Sequence, residues 1–216
     1  IREDERLFEA LHRIFHNDIH RVVVVDATGR LAGIITDSDI LKLQADTPHS
    51  LIRSIEEAQS VDDIKKLHQQ MQTLVSRLSA SGVQAEELLH VSSLLHDQLL
   101  LRLINLLRSN RFNDLHGRFA IGLLGRAGRG EQLLVSYQHS ALIFADDLTP
   151  TEFQQVVLFS DELAAAMQSI GIHHSPAGAT LNNPTWRLSL EGFKTLFDSW
   201  IADLSQENIQ KISLLS

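Results

Sequence analysis

The chain has 216 residues, 44% hydrophobic and 21% charged, a balance that excludes a disordered or collagen-like protein. Its formal net charge of −8 argues against wholesale nucleic-acid binding, which needs a basic footprint. It has no cysteine, which removes disulfides, thiolate zinc sites and cysteine nucleophiles, and no apolar run reaches the ~18–20 residues of a membrane span. A cytoplasmic protein without membrane or nucleic-acid partners is therefore expected. The first residue is Ile1 and residues 1–6 already read as the start of a helix, so the chain is expected to be a piece of a longer protein.

In chain order, Leu7, Leu11, Ile14 and Phe15 recur at helical spacing and predict an amphipathic helix over 3–16. Residues 21–26 (RVVVVD) are a β-branched strand, and 31–36 (LAGIIT) a second. The turn between them carries Gly29 where positive φ is needed. Thr36 then caps a helix that runs to about residue 45. Residues 50–108 read as a helical hairpin, broken at Ser81-Gly82, with Leu88, Val91, Leu95, Leu99 and Leu103 in one stripe of its second arm.

Residues 109–117 are a polar linker, 118–124 a buried strand, 125–130 a glycine- and arginine-rich loop, and 136–145 a second strand. A helix is predicted over 151–171, a short strand over 177–181 and a last amphipathic helix over 188–204. The fold class is α/β in the broad sense (α+β). Three parts are expected: 1–46, 50–108 and 110–204.

Charge is unevenly spread. Between 110 and 131 four arginines, Arg111, Arg118, Arg126 and Arg129, face only Asp114 and Glu131. An anion is most readily met there.

Two segments carry chemistry. In Gly33–Asp39 a strand delivers a hydroxyl and then a carboxylate to a helix start, where free backbone N–H groups attract phosphate. The G-x-x-T-x-x-D spacing of Gly33, Thr36 and Asp39 resembles the second half of a CBS motif. That resemblance implies part of an adenine-nucleotide-sensing regulatory module, with Thr36 and Asp39 as ligand residues. A plain helix cap explains both residues equally.

The second segment is Gly125-Arg126-Ala127-Gly128-Arg129-Gly130-Glu131-Gln132, followed by Ser136-Tyr137-Gln138-His139-Ser140. A strand ending in such a loop brings backbone N–H groups to phosphates, and arginine adds bidentate donors. It is not a Walker A loop, because no Gly-Lys-Ser/Thr follows. The segment resembles the CBS-associated nucleotidyltransferase domain, which is similar to protein-PII uridylyltransferases within the DNA polymerase β-type fold. Gly125, Gly128, Arg129, Glu131, Gln132, Ser136 and Gln138 match the family pattern in register. Leu95-His96-Asp97, Asn183-Pro184-x-Trp186 and Phe197-x-x-Trp200 agree around it.

The departures matter for function. The resemblance implies a triphosphate-binding serine where this chain has Arg126, and two magnesium-binding aspartates where it has Tyr137 and His139. Mg²⁺ demands hard oxygen ligands. A phenol is neutral at pH 7 and imidazole is a softer nitrogen donor.

The leading expectation is a regulatory, non-catalytic protein needing no cofactor, whose site at Gly125, Gly128, Arg129 and Glu131 binds an adenine or uridine nucleotide or a protein partner. An active, Mg²⁺-dependent uridylyltransferase-like enzyme, with a carboxylate borrowed from Glu131 or Asp146, is the first alternative. A dimerisation scaffold is the second, and a homodimer is expected in any case. The bland reading of the loop is that Arg126 and Arg129 pair with Glu131, Asp146 or Asp147. A zinc site at His139, His173 and His174 is not expected, and Trp186 and Trp200 read as core anchors.

Overall fold

A computed structural model describes residues 1–5, 10, 13, 19–36, 48–115, 117–132 and 137–215. The chain divides into two compact units, Ile1–Leu51 and Ile52–Ser216.

In the first unit, β1 (Arg21–Val25) and β2 (Leu31–Thr36) form an antiparallel hairpin, with Val22 opposite Ile35 and Val23 opposite Ile34. The turn is held by one carboxylate. Asp26 Oδ1 accepts from Thr28 N, Thr28 Oγ1 and Arg30 N at 2.7–3.0 Å. Gly29 supplies the expected positive φ of 81°. The reading of 1–6 as a helix start is corrected. Arg2 bridges in parallel to Val25 and Glu5 N closes a turn on Arg2, so this stretch adds to the hairpin edge. Ala10 and Arg13 are helical. The rest of that expected helix, and the one expected after Thr36, lie outside the described residues.

The second unit begins within α1 (Pro48–Glu57) and continues through α2 (Val61–Ala80) and α3 (Ala85–Arg111). The break before α2 is a cap: Ser60 accepts from Asp63 N, and the Asp63 carboxylate takes the Ser60 hydroxyl in return at 2.8 Å. Arg102 of α3 secures this corner by donating from Nε to the Ala58 carbonyl at 2.8 Å. The expected stop at Ser81-Gly82 is present, with Gly82 at φ 84°. Ile64, Leu67, Met71, Leu74 and Val75 of α2 and Leu88, Leu95, Leu99 and Leu103 of α3 are buried at helical spacing.

After a 3-10 turn at Asn113–Leu115, β3 (Phe119–Leu124) and β4 (Tyr137–Phe144) pair antiparallel, with Leu124 opposite His139 and Gly122 opposite Ala141. The helix α4 (Pro150–Ser169) starts on a capping box of Thr149 and Glu152 with proline in its first turn. The next strands are β5 (His173–His174) and β6 (Arg187–Ser189). Both pair in parallel with β4, at its two ends. Two more helices follow, α5 (Leu190–Ala202) and α6 (Gln206–Ser213), each capped by a serine, Ser189 and Ser205.

Two expectations are corrected here. Residues 177–181 are not a strand; the segment instead bonds β4 once through Ala179 O and once through Leu181 N. The last predicted helix surrenders Leu188 and Ser189 to β6. The strands at 173–174 and 187–189 are too short to show an alternation in the sequence.

β4 is the central strand, and its two faces are covered differently. Gln138, Ser140 and Leu142 are buried. Leu142 shares this side with Ile121 and Leu123 of β3, next to α3 and α4. Phe159 of α4 meets Phe112 at 5.4 Å and Phe119 at 4.9 Å. On the opposite face Ala141 packs with Ala179, Trp186 and Trp200, closed by Phe193, Phe197, Ile212 and Leu214. Trp186 and Trp200, 5.5 Å apart, are the core anchors expected of them. Among the described residues no helix is long and apolar enough to cross a membrane.

Candidate functional site

Successive residues of a strand point to opposite faces, so Tyr137 and His139 share one face of β4 and Gln138 takes the other. The Tyr137–His139 face opens into a cleft of about 800 Å³. Gly125, Arg126, Arg129 and Glu131 line it from the loop after β3, Pro176 and Ala177 from the segment after β5, and Ser213 and Leu214 from the end of α6. The fold thus gathers seven of the residues singled out in the sequence: Gly125, Arg126, Arg129, Glu131, Gln132, Tyr137 and His139. Gly128 lies behind the loop. Thr36 ends β2 opposite Arg21 in the other unit, and Asp39 and Ser136 lie outside the described residues.

The loop is a tight turn held by its own backbone. Arg129 N donates to Gly125 O at 3.1 Å, Gly130 N to Ala127 O at 3.2 Å and Glu131 N to Arg126 O at 2.8 Å. Gly125 has φ 61° and donates its N–H to Leu214 O at 2.7 Å, which ties the loop to the C-terminal helix. A Cβ on Gly128 would stand 2.6 Å from the Leu123 carbonyl oxygen, so only glycine lets the loop fold back onto β3. Ser213 and Leu214 gave no signal in the sequence. They reach the cleft only because Ile212 and Leu214 pack on the Trp186–Trp200 cluster.

The charges are arranged unequally. Arg129 is committed to Glu131, with Nε 2.9 Å and a terminal nitrogen 2.8 Å from Oε2. That bond holds the Glu131 carboxyl below the usual range, and the Arg126 charge adds to it. No hydrogen bond or ion pair joins Arg126 to another described side chain. Burial, and then the Arg126 charge, push the His139 imidazole below its ordinary pKa, so it is neutral at pH 7. Its buried Nδ1 has no hydrogen-bond partner among the described residues.

Behind the site, His96 Nε2 donates to Gln138 Oε1 at 3.1 Å. Burial pushes His96 down to about 4. His68 Nδ1 donates to the Ile170 carbonyl at 2.8 Å, and burial lowers its pKa as well. In the sequence His68 looks like an ordinary helix residue, and His96 stands out only within the Leu95-His96-Asp97 match, which carries no sign of a buried polar layer.

The pairing of Arg126 or Arg129 with Asp146 or Asp147 is corrected. Asp146 Oδ1 accepts from Glu191 N at 2.9 Å at the start of α5, and Asp147 pairs with Arg118 at 2.9 Å. Both follow the far end of β4, on the order of 20 Å of strand from His139. Asp146 is therefore no borrowed ligand. Among the described residues Glu131 is the one carboxylate lining the cleft, and Arg129 already neutralises it. A phenol, a neutral imidazole and an ion-paired glutamate are a poor donor set for Mg²⁺, which needs oxyanions and holds its waters tightly. The residues present do not fit that metal. No group of three or more His, Asp or Glu able to hold a metal occurs among the described residues.

Residues 69–207 match the family described as Putative nucleotidyltransferase DUF294, and residues 1–46 match the CBS domain. No curated protein and no solved structure matches the chain.

Proposed function

Since the chain belongs to the DUF294 nucleotidyltransferase family and carries a CBS domain ahead of that region, we propose that it is a regulatory protein whose nucleotidyltransferase-type cleft binds a nucleotide or polyphosphate without metal and without transferring it. One observation carries this reading. Tyr137 and His139 hold the i and i+2 places of β4 where the family resemblance implies carboxylates, and both line the cleft beside Arg126. The substitution replaces anionic metal ligands by neutral hydrogen-bonding groups and leaves a guanidinium as the dominant charge. Such a surface favours an anion directly.

A second reading is favoured by the Arg129–Glu131 pair, which occupies part of the cleft with its own counter-charge. On that reading the domain is a protein-interaction module and the cleft holds no ligand.

The test is calorimetry with ATP, UTP and AMP, in Mg²⁺ and in EDTA. Triphosphate binding in EDTA is expected, weakened about tenfold or more by Arg126→Ala, in line with a hydrogen bond to a charged group. Glu131→Gln releases Arg129 and is expected to tighten binding. Binding that requires Mg²⁺ would overturn the proposal in favour of an enzyme. Silence for every nucleotide would overturn it in favour of the interaction module.

A further inference from the structure

On the opposite face of the sheet from the cleft lies a second cavity of about 440 Å³, between α3, α4 and the edge strand β3. This is within the size range of small-molecule sites. Its walls are apolar: Leu100, Leu101 and Ile104 of α3, Ile121 and Leu123 of β3, and Met167 of α4. One charged group lines it, Asp97, with the Ser140 hydroxyl deeper on β4. The Ser140 oxygen accepts from Leu181 N at 3.2 Å. Among the described residues Asp97 makes no hydrogen bond or ion pair, and no arginine, lysine or histidine lines the cavity. The back wall is Ala127 and Gly128, and Ala127 also faces the cleft.

We propose that this cavity binds a small amphipathic amine, its apolar body between α3 and β3 and its ammonium on the Asp97 carboxylate. Asp97 is exposed at the rim, so its carboxylate is open to an incoming guest and puts one negative charge beside the apolar walls, where an ammonium would meet it. A neutral apolar guest would leave that carboxylate as it is, and an anion would be repelled. Burial already pushes the Asp97 carboxyl above its ordinary range, the direction an ammonium would reverse. The guest would rest against the backbone of Ala127 and Gly128. Gly128 is locked against the Leu123 carbonyl, so the guest would brace the loop from behind. This inference stands whether or not the cleft binds a nucleotide.

The experiment titrates the whole chain with 4-phenylbutylamine, 4-phenylbutanol and 4-phenylbutyrate, followed by calorimetry and by amide NMR. The amine is expected to bind about threefold to fivefold more tightly than the alcohol, the range of an exposed ion pair, with the carboxylate weakest. The amide signals of Ala127, Gly128 and Asp97 should shift, and those of Val22 and Ile35 should not. Asp97→Asn should abolish the preference for the amine while leaving the alcohol unchanged. Leu101, which is 52% exposed, is a site where substitution should spare the fold; Leu101→Trp fills the cavity mouth and should remove binding of all three probes. Equal affinity for amine and alcohol, a preference that survives Asp97→Asn, or no binding of the amine at millimolar concentration would each overturn the proposal.

Discussion

His96 Nε2 lies 3.1 Å from Gln138 Oε1, and this bond joins the long helix α3 to the strand that carries the cleft. Gln138 is the residue between Tyr137 and His139. Anchoring its side chain on the helix face commits its two neighbours to the opposite face. A one-residue slip of β4 would turn Tyr137 and His139 inward, and the bond to His96 opposes it.

Burial of His96, which outweighs the opposing effect of its bond to Gln138, makes stability depend on pH. The imidazole of His96 titrates near 4 in the folded protein, against about 6.5 when unfolded. Above pH 6.5 neither state takes a proton and the full stability is present. As pH falls from 6.5 through 4, the unfolded chain binds a proton that the folded chain refuses, and stability is lost, by up to about 3 kcal/mol for this group. His68 acts in the same direction. Urea titrations at pH 7.5 and pH 4.5 should show the loss, and His96→Gln should reduce the difference between them. An unchanged difference would mean that His96 is not the group responsible.

Ligand binding should carry the opposite dependence on pH. His139 is neutral at pH 7 because it is partly buried next to Arg126. A phosphate seated between the two would favour the imidazolium, so affinity should rise as pH drops through His139's range. In NMR titrations of the free protein, Arg126→Ala should move the His139 pKa upward, because a neighbouring cation has been removed. In ligand titrations, His139→Gln should leave binding at pH 8 nearly unaltered and flatten the rise toward pH 6.

Gly128→Ala should be far more damaging than Gly122→Ala. The new methyl at Gly128 would meet the Leu123 carbonyl oxygen at 2.6 Å, a backbone atom that cannot step aside. At Gly122 the nearest atom is the end of the Leu124 side chain at 3.9 Å. A cost on the order of 1–3 kcal/mol is expected for Gly128→Ala, in keeping with overpacking, with displacement of the loop. Thermal melts of the two variants, and loss of nucleotide binding in the first, check this.

The sequence alone determined the local elements and the chemical vocabulary of the site. The β-branched run at 21–25, the alternation leading to β4, the α3 stripe from Leu88 to Leu103 and the stop at Gly82 all follow from periodicities and caps, which are properties of neighbouring residues. The family resemblance of the 125–140 segment also named Gly125, Arg126, Arg129, Glu131, Tyr137 and His139 as one constellation. Tertiary structure decided which of them are available. Arg129 and Glu131 neutralise each other, while Arg126 is left without a partner among the described side chains. Asp146, close to the site in sequence, is carried away because an eight-residue extended strand separates its ends by about 23 Å. Leu214, remote in sequence, is brought in because the Trp186–Trp200 cluster folds the last helix back over the sheet. The burial that makes His96 neutral, and the exposure that leaves Asp97 at the rim of an apolar cavity, are likewise properties of what packs around each residue. Charge, pKa and reach depend on neighbours in space, and adjacent residues 96 and 97 of one helix meet opposite surroundings because they lie on different faces of it.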